Sequence, residues 1–208
     1  MFASLVRTAS LVAILLLPFF AAGQTQWSAV VVDTRKEGTP IDLRIYFGGD
    51  KVRLEPQIWV RGNVSGPFIL FDRATRTGIV VVPENHAYAG APPQWIEKYR
   101  GFAADWNIDT FRAGWLRTPE NQSGTCKQLS DEAVNGRTAL RYEATNSNGE
   151  MTRFWFDRKL RMMVKWETRT NGGEMRNIEE APQPASLFEI PAGYTKGASG
   201  IVQSATPK

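Results

Sequence analysis

The 208-residue sequence holds one cysteine, Cys126, and one histidine, His86. A lone cysteine cannot close a disulfide within the chain, so Cys126 reads as a half-buried structural thiol or a reactive one. Zinc sites of the usual Cys/His composition are excluded, and a serine triad would have to use His86 as its base. No G-x-S-x-G elbow supports a triad, and no phosphate loop is present: Gly48-Gly49 and Gly172-Gly173 read as hairpin glycines. Lys and Arg are interleaved with Asp and Glu at a net charge of +4, with no basic block of the kind nucleic acid requires. That balance still allows mild attraction to anionic lipid head groups. Glu97 and Asp105 fall on the polar side of a helical pattern and read as surface carboxylates rather than a catalytic pair. No catalytic residue, metal, cofactor or nucleic-acid partner is therefore assigned, and a non-enzymatic protein is expected.

Long apolar runs are also scarce. Leu11 to Phe20 (LVAILLLPFF) is too short for a confident membrane span and contains Pro18. With Arg7 before it and Ala21-Ala22-Gly23 after it, residues 1–23 read as a cleaved signal peptide. The mature chain is expected to begin at Gln24 and enter a periplasm, and no cysteine follows the cleavage site to carry a lipid anchor. Residues 24–195 read as one domain, and 196–208 as a disordered tail of small residues.

What remains is strand pattern. Gln26 to Thr34 begins the first strand. In Ile41 to Phe47, Ile41, Leu43, Ile45 and Phe47 alternate with Asp42, Arg44 and Tyr46. Gly48-Gly49-Asp50 turns the chain into Lys51 to Glu55, where Val52 and Leu54 point inward, and Ile58 to Arg61 is a short continuation. Phe68 to Phe71 and Ile79 to Val82 are apolar at every position, as strands are when both faces are covered or one meets a ligand. After the Thr118 to Gly124 linker, five strands are predicted: Lys127–Val134, Arg137–Thr145, Met151–Asp157, Leu160–Thr168 and Glu174–Glu180. Asn135-Gly136 is the strongest hairpin signal among their turns. In the third of these, Phe154 and Phe156 share a face opposite Arg153, Trp155 and Asp157; in the fourth, Leu160, Met162, Val164 and Trp166 lie opposite Arg161, Met163, Lys165 and Glu167. Pro184 to Phe188 reads as a helical turn plugging Leu187 and Phe188 into one end of the core.

One stretch breaks the pattern. From Pro92 to Leu116, Trp95, Tyr99, Phe102 and Trp106 recur at the spacing of one helical face, and Asp109 is placed to cap a second turn holding Phe111, Trp115 and Leu116. The fold class expected is α+β, mainly β: roughly ten antiparallel strands in a curved sheet, with the helical segment covering its concave face. The chain has 7 Trp, 11 Phe, 5 Tyr and 5 Met, many on these inward faces, which fits either an ordinary core or a cavity lined by rings and thioethers.

The order Gly48-Gly49-Asp50-Lys51-Val52-Arg53-Leu54-Glu55, Phe71-Asp72 and Val82-Pro83-Glu84-Asn85-His86-Ala87-Tyr88 resembles the LolA/LolB superfamily of outer-membrane lipoprotein carriers. Cys126, Val134-Asn135-Gly136-Arg137, Phe154-Trp155-Phe156-Asp157, Asn177-Ile178 and the Phe188-Glu189-Ile190-Pro191-Ala192-Gly193-Tyr194 ending are similar to an uncharacterised secreted branch of it. The resemblance implies an unclosed half-barrel with helices in its mouth, binding acyl chains in the hollow, and a sheet arginine that latches the lid; Arg44 and Arg53 both qualify. It departs from the carriers in lacking a helix before Trp27.

Faces and resemblance together give an expected lining of Leu43, Ile45, Phe47, Leu54, Phe154, Phe156, Met162, Val164 and Trp166. Trp95, Tyr99, Phe102 and Trp106 form the expected cover. The expected ligand is a lipid or an acylated protein. The alternatives are an envelope module that engages a protein partner through the same fold and, third, a hydrolase working through carboxylates or His86.

Overall fold

The computed structural model describes residues 25–34, 41–57, 66–96, 99, 108–115 and 121–197. The proposed signal peptide, the continuation at 58–61, Phe102, Trp106 and the segment 198–208 lie outside the described residues. The fold is mainly β, built on one unclosed sheet of 13 strands. In chain order these are β1 (Trp27–Asp33), β2 (Ile41–Phe47), β3 (Lys51–Pro56), β4 (Phe68–Asp72), β5 (Thr77–Val82), β6 (Ala87–Gly90), β7 (Thr125–Gln128), β8 (Glu132–Val134), β9 (Arg137–Thr145), β10 (Met151–Asp157), β11 (Met162–Glu167), β12 (Gly172–Glu180) and β13 (Thr195–Lys196). The spatial order is β13-β6-β5-β4-β3-β2-β1-β12-β11-β10-β9-β7, with β8 on β9.

Hairpin pairing of neighbours builds each half, and the antiparallel pair β1–β12 joins them. Asn135 and Gly136 both take positive φ (49° and 77°), the geometry of the tight turn that their dipeptide predicts. The single long strand expected over Lys127–Val134 is instead two, β7 and β8. Leu129 N–H still donates to Arg141 O at 2.8 Å between them. β13 runs parallel to β6, so Lys196 belongs to the sheet rather than to a tail.

The all-apolar strands β4 and β5 are covered on both faces. Ile69, Phe71, Val80 and Val82 join the main core. Phe68, Leu70 and Val81 pack on the other side against Ile79, Tyr88, Ile190 and Tyr194. The C-terminal segment is thus a strap across the back of the sheet. Its 3-10 turn, Ala185–Phe188, does not plug the core: Leu187 and Phe188 stay half-buried, and the Phe188 ring lies against Gly48, where an added Cβ would meet it at 2.6 Å.

Of the helical stretch, residues 93–96 and 99 are helical, opened by Trp95 N–H donating to Pro92 O at 2.9 Å. Helix α1 spans Ile108–Trp115; residues 97, 98 and 100–107 lie outside the described residues. Asp109 lies in its first turn, where a carboxylate favours the helix dipole, and is not its cap.

One charged group is sealed at the foot of β10. Asp157 is only 3 % exposed; it accepts from Arg137 Nε (2.5 Å) and from the N–H groups of Lys159 and Leu160 (both 2.8 Å). Arg137 also pairs with Glu180 at 2.8 Å, which ties β9 to the end of β12, and this network holds the guanidinium's pKa above its ordinary value. Asp157→Ala leaves Arg137 Nε and two backbone N–H donors without their acceptor. We expect a loss of ~2–4 kcal/mol in denaturant unfolding, against less than ~1 kcal/mol for breaking the exposed Arg158–Asp131 pair in Arg158→Ala.

Candidate functional site

The residues expected to line one hollow fall into two clusters. Leu43, Ile45, Phe47, Leu54, Met162 and Val164 are buried in the main core, with Ile45 and Leu54 at 0 % exposure. Tyr99 joins them at 8 % exposure, and Trp95 and Ile96 pack against the same cluster. Trp95 and Tyr99, expected as cover, are thus packed with the main core. Phe47 is stacked face to face on Trp27, with ring centroids 5.3 Å apart.

Phe154 and Phe156 belong elsewhere. With Tyr142 and Ala144 they form a second cluster, against which Ile108, Phe111 and Trp115 of α1 pack together with Cys126, Leu140 and Met163. The cause is a slip in register. Trp155 pairs with Lys165 but Phe156 pairs with Met163, so a bulge in β11 changes which of its residues meet the phenylalanines. Met163, assigned from alternation to the polar side, packs with the phenylalanines, and the buried Trp155 joins Met162 and Val164 in the main core. Trp166 alone among the expected lining residues touches both clusters.

Alternation along α1 explains its role as a cover. Ile108, Phe111 and Trp115 sit at i, i+3 and i+7 and are half-buried, while Asp109 and Arg112 are exposed. The Phe111 ring meets Phe154 edge-on at 4.4 Å and lies 5.2 Å from Phe156, which meets Tyr142 at 6.0 Å. These are the geometries that aromatic quadrupoles favour. The sequence signal for this cover was present in the 3.6-residue spacing, but the partner strands depend on the β11 bulge.

Neither arginine proposed as a latch reaches this side. Alternation places Arg44 and Arg53 on the face away from Leu43, Ile45, Val52 and Leu54. Arg53 serves the C-terminal strap, donating to Glu55 (2.7 Å) and to Leu187 O (3.2 Å) over the Phe68 ring at 3.6 Å.

The titratable groups beside α1 are held neutral. Burial pushes the Cys126 thiol above its ordinary range, with Arg112 opposing weakly. Burial likewise raises Tyr142, helped by Asp109, and its hydroxyl donates to Gln128 Oε1 at 3.1 Å. Among the described residues no group of three or more His, Cys, Asp or Glu side chains is arranged to hold a metal ion. His86 caps a 3-10 turn in the left-handed region (φ 45°) and contacts the Tyr194 ring at 5.3 Å, a structural placement in the loop before β6. The site is apolar and aromatic, and the charges felt by Cys126 and Tyr142 come from Asp109 and Arg112 on α1 and from Arg158.

No protein-family model matches the sequence, and no curated protein matches it. Solved structures are similar in fold. An uncharacterised conserved protein from Thermus thermophilus matches over 84 % of this chain and 90 % of its own, at 10 % identity and a TM-score of 0.49. MucB matches over 81 % of this chain but 58 % of its own, at 12 % identity and a TM-score of 0.40. A LolA-superfamily protein from Nitrosomonas europaea matches over 80 % and 90 %, at 10 % identity and a TM-score of 0.31.

Cys126 gives a built-in reporter of α1. Because its folded pKa is raised, any stability it contributes is complete below the ordinary thiol pKa and falls as pH rises through the folded value. Iodoacetamide labelling of the native protein is expected to be slow at neutral pH. Phe111→Ala removes a ring worth more than ~1.4 kcal/mol of docking and should accelerate labelling about tenfold or more, with the sheet's circular dichroism unchanged.

Proposed function

We propose that the protein is a non-enzymatic, periplasmic binder of a hydrophobic ligand, a lipid or lipoprotein acyl chain, received where α1 lies on β9–β11. The observation that supports this reading is the nature of the cover. The second aromatic cluster is roofed by an eight-residue helix, too short to be stable alone and held by three half-buried apolar side chains. Full burial of such side chains contributes roughly 1.5–3 kcal/mol each, so three that are half-buried contribute about 2–5 kcal/mol in all. A buried stretch of about five methylenes contributes a similar sum, ~0.8 kcal/mol apiece. Exchange of α1 for an acyl chain is then close to neutral, which suits a carrier that must both take up and release its cargo. The raised thiol and phenol keep the walls uncharged on that route.

A second reading, an envelope module that engages a protein, is favoured by the main core. There Trp27, Phe47 and Tyr99 already pack with the aliphatic lining, whose described members are almost fully buried. On this reading the main core is scaffold alone.

Native mass spectrometry of protein purified from a lipid-containing host tests the proposal, followed by titration with a fluorescent fatty acid after delipidation. We expect co-purified lipid, probe binding, and weakening of that binding by Phe156→Asp or Trp115→Glu. Absence of both lipid and probe binding in the folded wild-type protein removes the acyl reading.

A further inference from the structure

The strap that closes the back of the sheet is held unlike the strands it covers. From Ala185 to Gly197 every residue is half-buried or exposed, yet beneath it Val81, Phe68 and Leu70 are only 0 %, 3 % and 8 % exposed. Its own ladder is two residues long, β13 lying parallel to β6 at the end of the sheet. There Thr195 N–H donates to His86 O at 3.0 Å and Gly197 N–H to Tyr88 O at 2.8 Å. A segment with few sealed contacts at a sheet edge opens before the core does.

The groove reads this segment at several points. Gly48 lacks the β-carbon that would meet the Phe188 ring at 2.6 Å, and Arg53 donates to Leu187 O at 3.2 Å. Ile190 and Tyr194 pack against the cluster of Phe68, Leu70 and Val81, and the Tyr194 ring meets His86 edge-on at 5.3 Å. A strand edge together with pockets for particular side chains is how a sheet recognises an extended peptide. The occupant that fits this groove is therefore already visible, and every copy of the chain carries one.

The hinge suits arrival of that occupant from another molecule. β12 ends at Glu180, and only Ala181-Pro182-Gln183-Pro184 separates it from the 3-10 turn. Ala181 and Gln183 each precede a proline, which disfavours helical backbone, and Pro184 sits extended at φ −56°, ψ 132°. Ala181, Pro182 and Pro184 are exposed, while Gln183 N–H donates to Gln26 Oε1 at 2.6 Å. A hinge already extended carries a strap outward with little change in its own backbone.

We propose that the strap exchanges between copies: the groove along β3–β6 receives residues 185–197 of a second copy of this chain. Reciprocal exchange makes each strap contact once in either protomer, so a dimer formed this way keeps them all, and its population follows concentration. The groove uses none of the residues beneath α1, so the inference stands or falls separately from the lipid reading.

The test uses the full chain and a fluorescein-labelled peptide of residues 185–197, with binding read by anisotropy and assembly by native mass spectrometry. The substitutions Ile190→Ser and Tyr194→Ser are made together in either the protein or the peptide. In the protein they empty the groove, and apparent affinity scales with the fraction of open grooves. We therefore expect peptide binding about tenfold tighter or more than in wild type, at unchanged circular dichroism. In the peptide the same two changes should abolish binding. Wild-type protein held at high concentration should form a dimer that the double variant does not. Tyr194→Ser alone takes the place of the double variant if that one does not fold. Equal peptide binding by wild type and variant, or equal binding of the serine-substituted peptide, overturns the groove as a site for this segment. A wild type that stays monomeric at every concentration, or a dimer that persists in the variant, overturns exchange between copies.

Discussion

The indole of Trp166 lies directly over Gly173, so closely that any β-carbon there would collide with the ring. This contact fixes how β11 meets β12, next to the β1–β12 pair that joins the two halves of the sheet. β11 and β12 pair over three residues only, and Trp166 faces Gly173 within that short ladder. The same ring touches both apolar clusters. A bulkier residue at 173 would push β11 away from β12 and separate the core under Tyr99 from the cluster under α1. The β11–β12 ladder ends at Glu174, while β12 stays paired with β1 to Glu180.

The sequence resolved what depends on local period and turn chemistry. Alternation in Ile41–Phe47, the Asn135-Gly136 turn, the doubly covered FILF and IVVV runs and the unclosed mainly β sheet follow from neighbours a few residues apart. What it could not resolve depends on register between distant strands. Phe154 and Phe156 alternate correctly along β10, yet only the bulge opposite them decides that Met163, and not Met162 or Val164, is their companion. The packing of Trp95 and Tyr99 on the main core agrees with their helical spacing for the same local reason. Nor was the strap: Ile190 and Tyr194 reveal nothing by spacing about the strands they cover.

Charge is arranged by a different logic from grease. The apolar clusters contain no ion pair, while Asp157, Arg137, Glu180 and Lys159 form a connected network at one end of β9–β12. The buried carboxylate there is tied to two backbone amides in the β10–β11 turn, so its role is to hold that turn and the end of β12 in register. The paired charges of β9–β11 farther along, such as Arg153 with Glu143 and Lys165 with Glu167, are partly solvated and contribute little each. The single cysteine fits the same division, as a neutral group beside aromatic rings.

The position of β1 has an implication for how the molecule comes into being. The first strand to emerge is central, flanked by β2 and by β12, and the last, β13, caps the far edge beside β6. Until the C-terminal residues are available, β1 lacks one neighbour and β4 and β5 expose an apolar back. Native pairing must therefore await nearly the whole polypeptide, and the nascent chain spends its synthesis with sticky strands uncovered. A sheet whose central strand pairs with one far along the sequence is suited to assembly in one late, cooperative step.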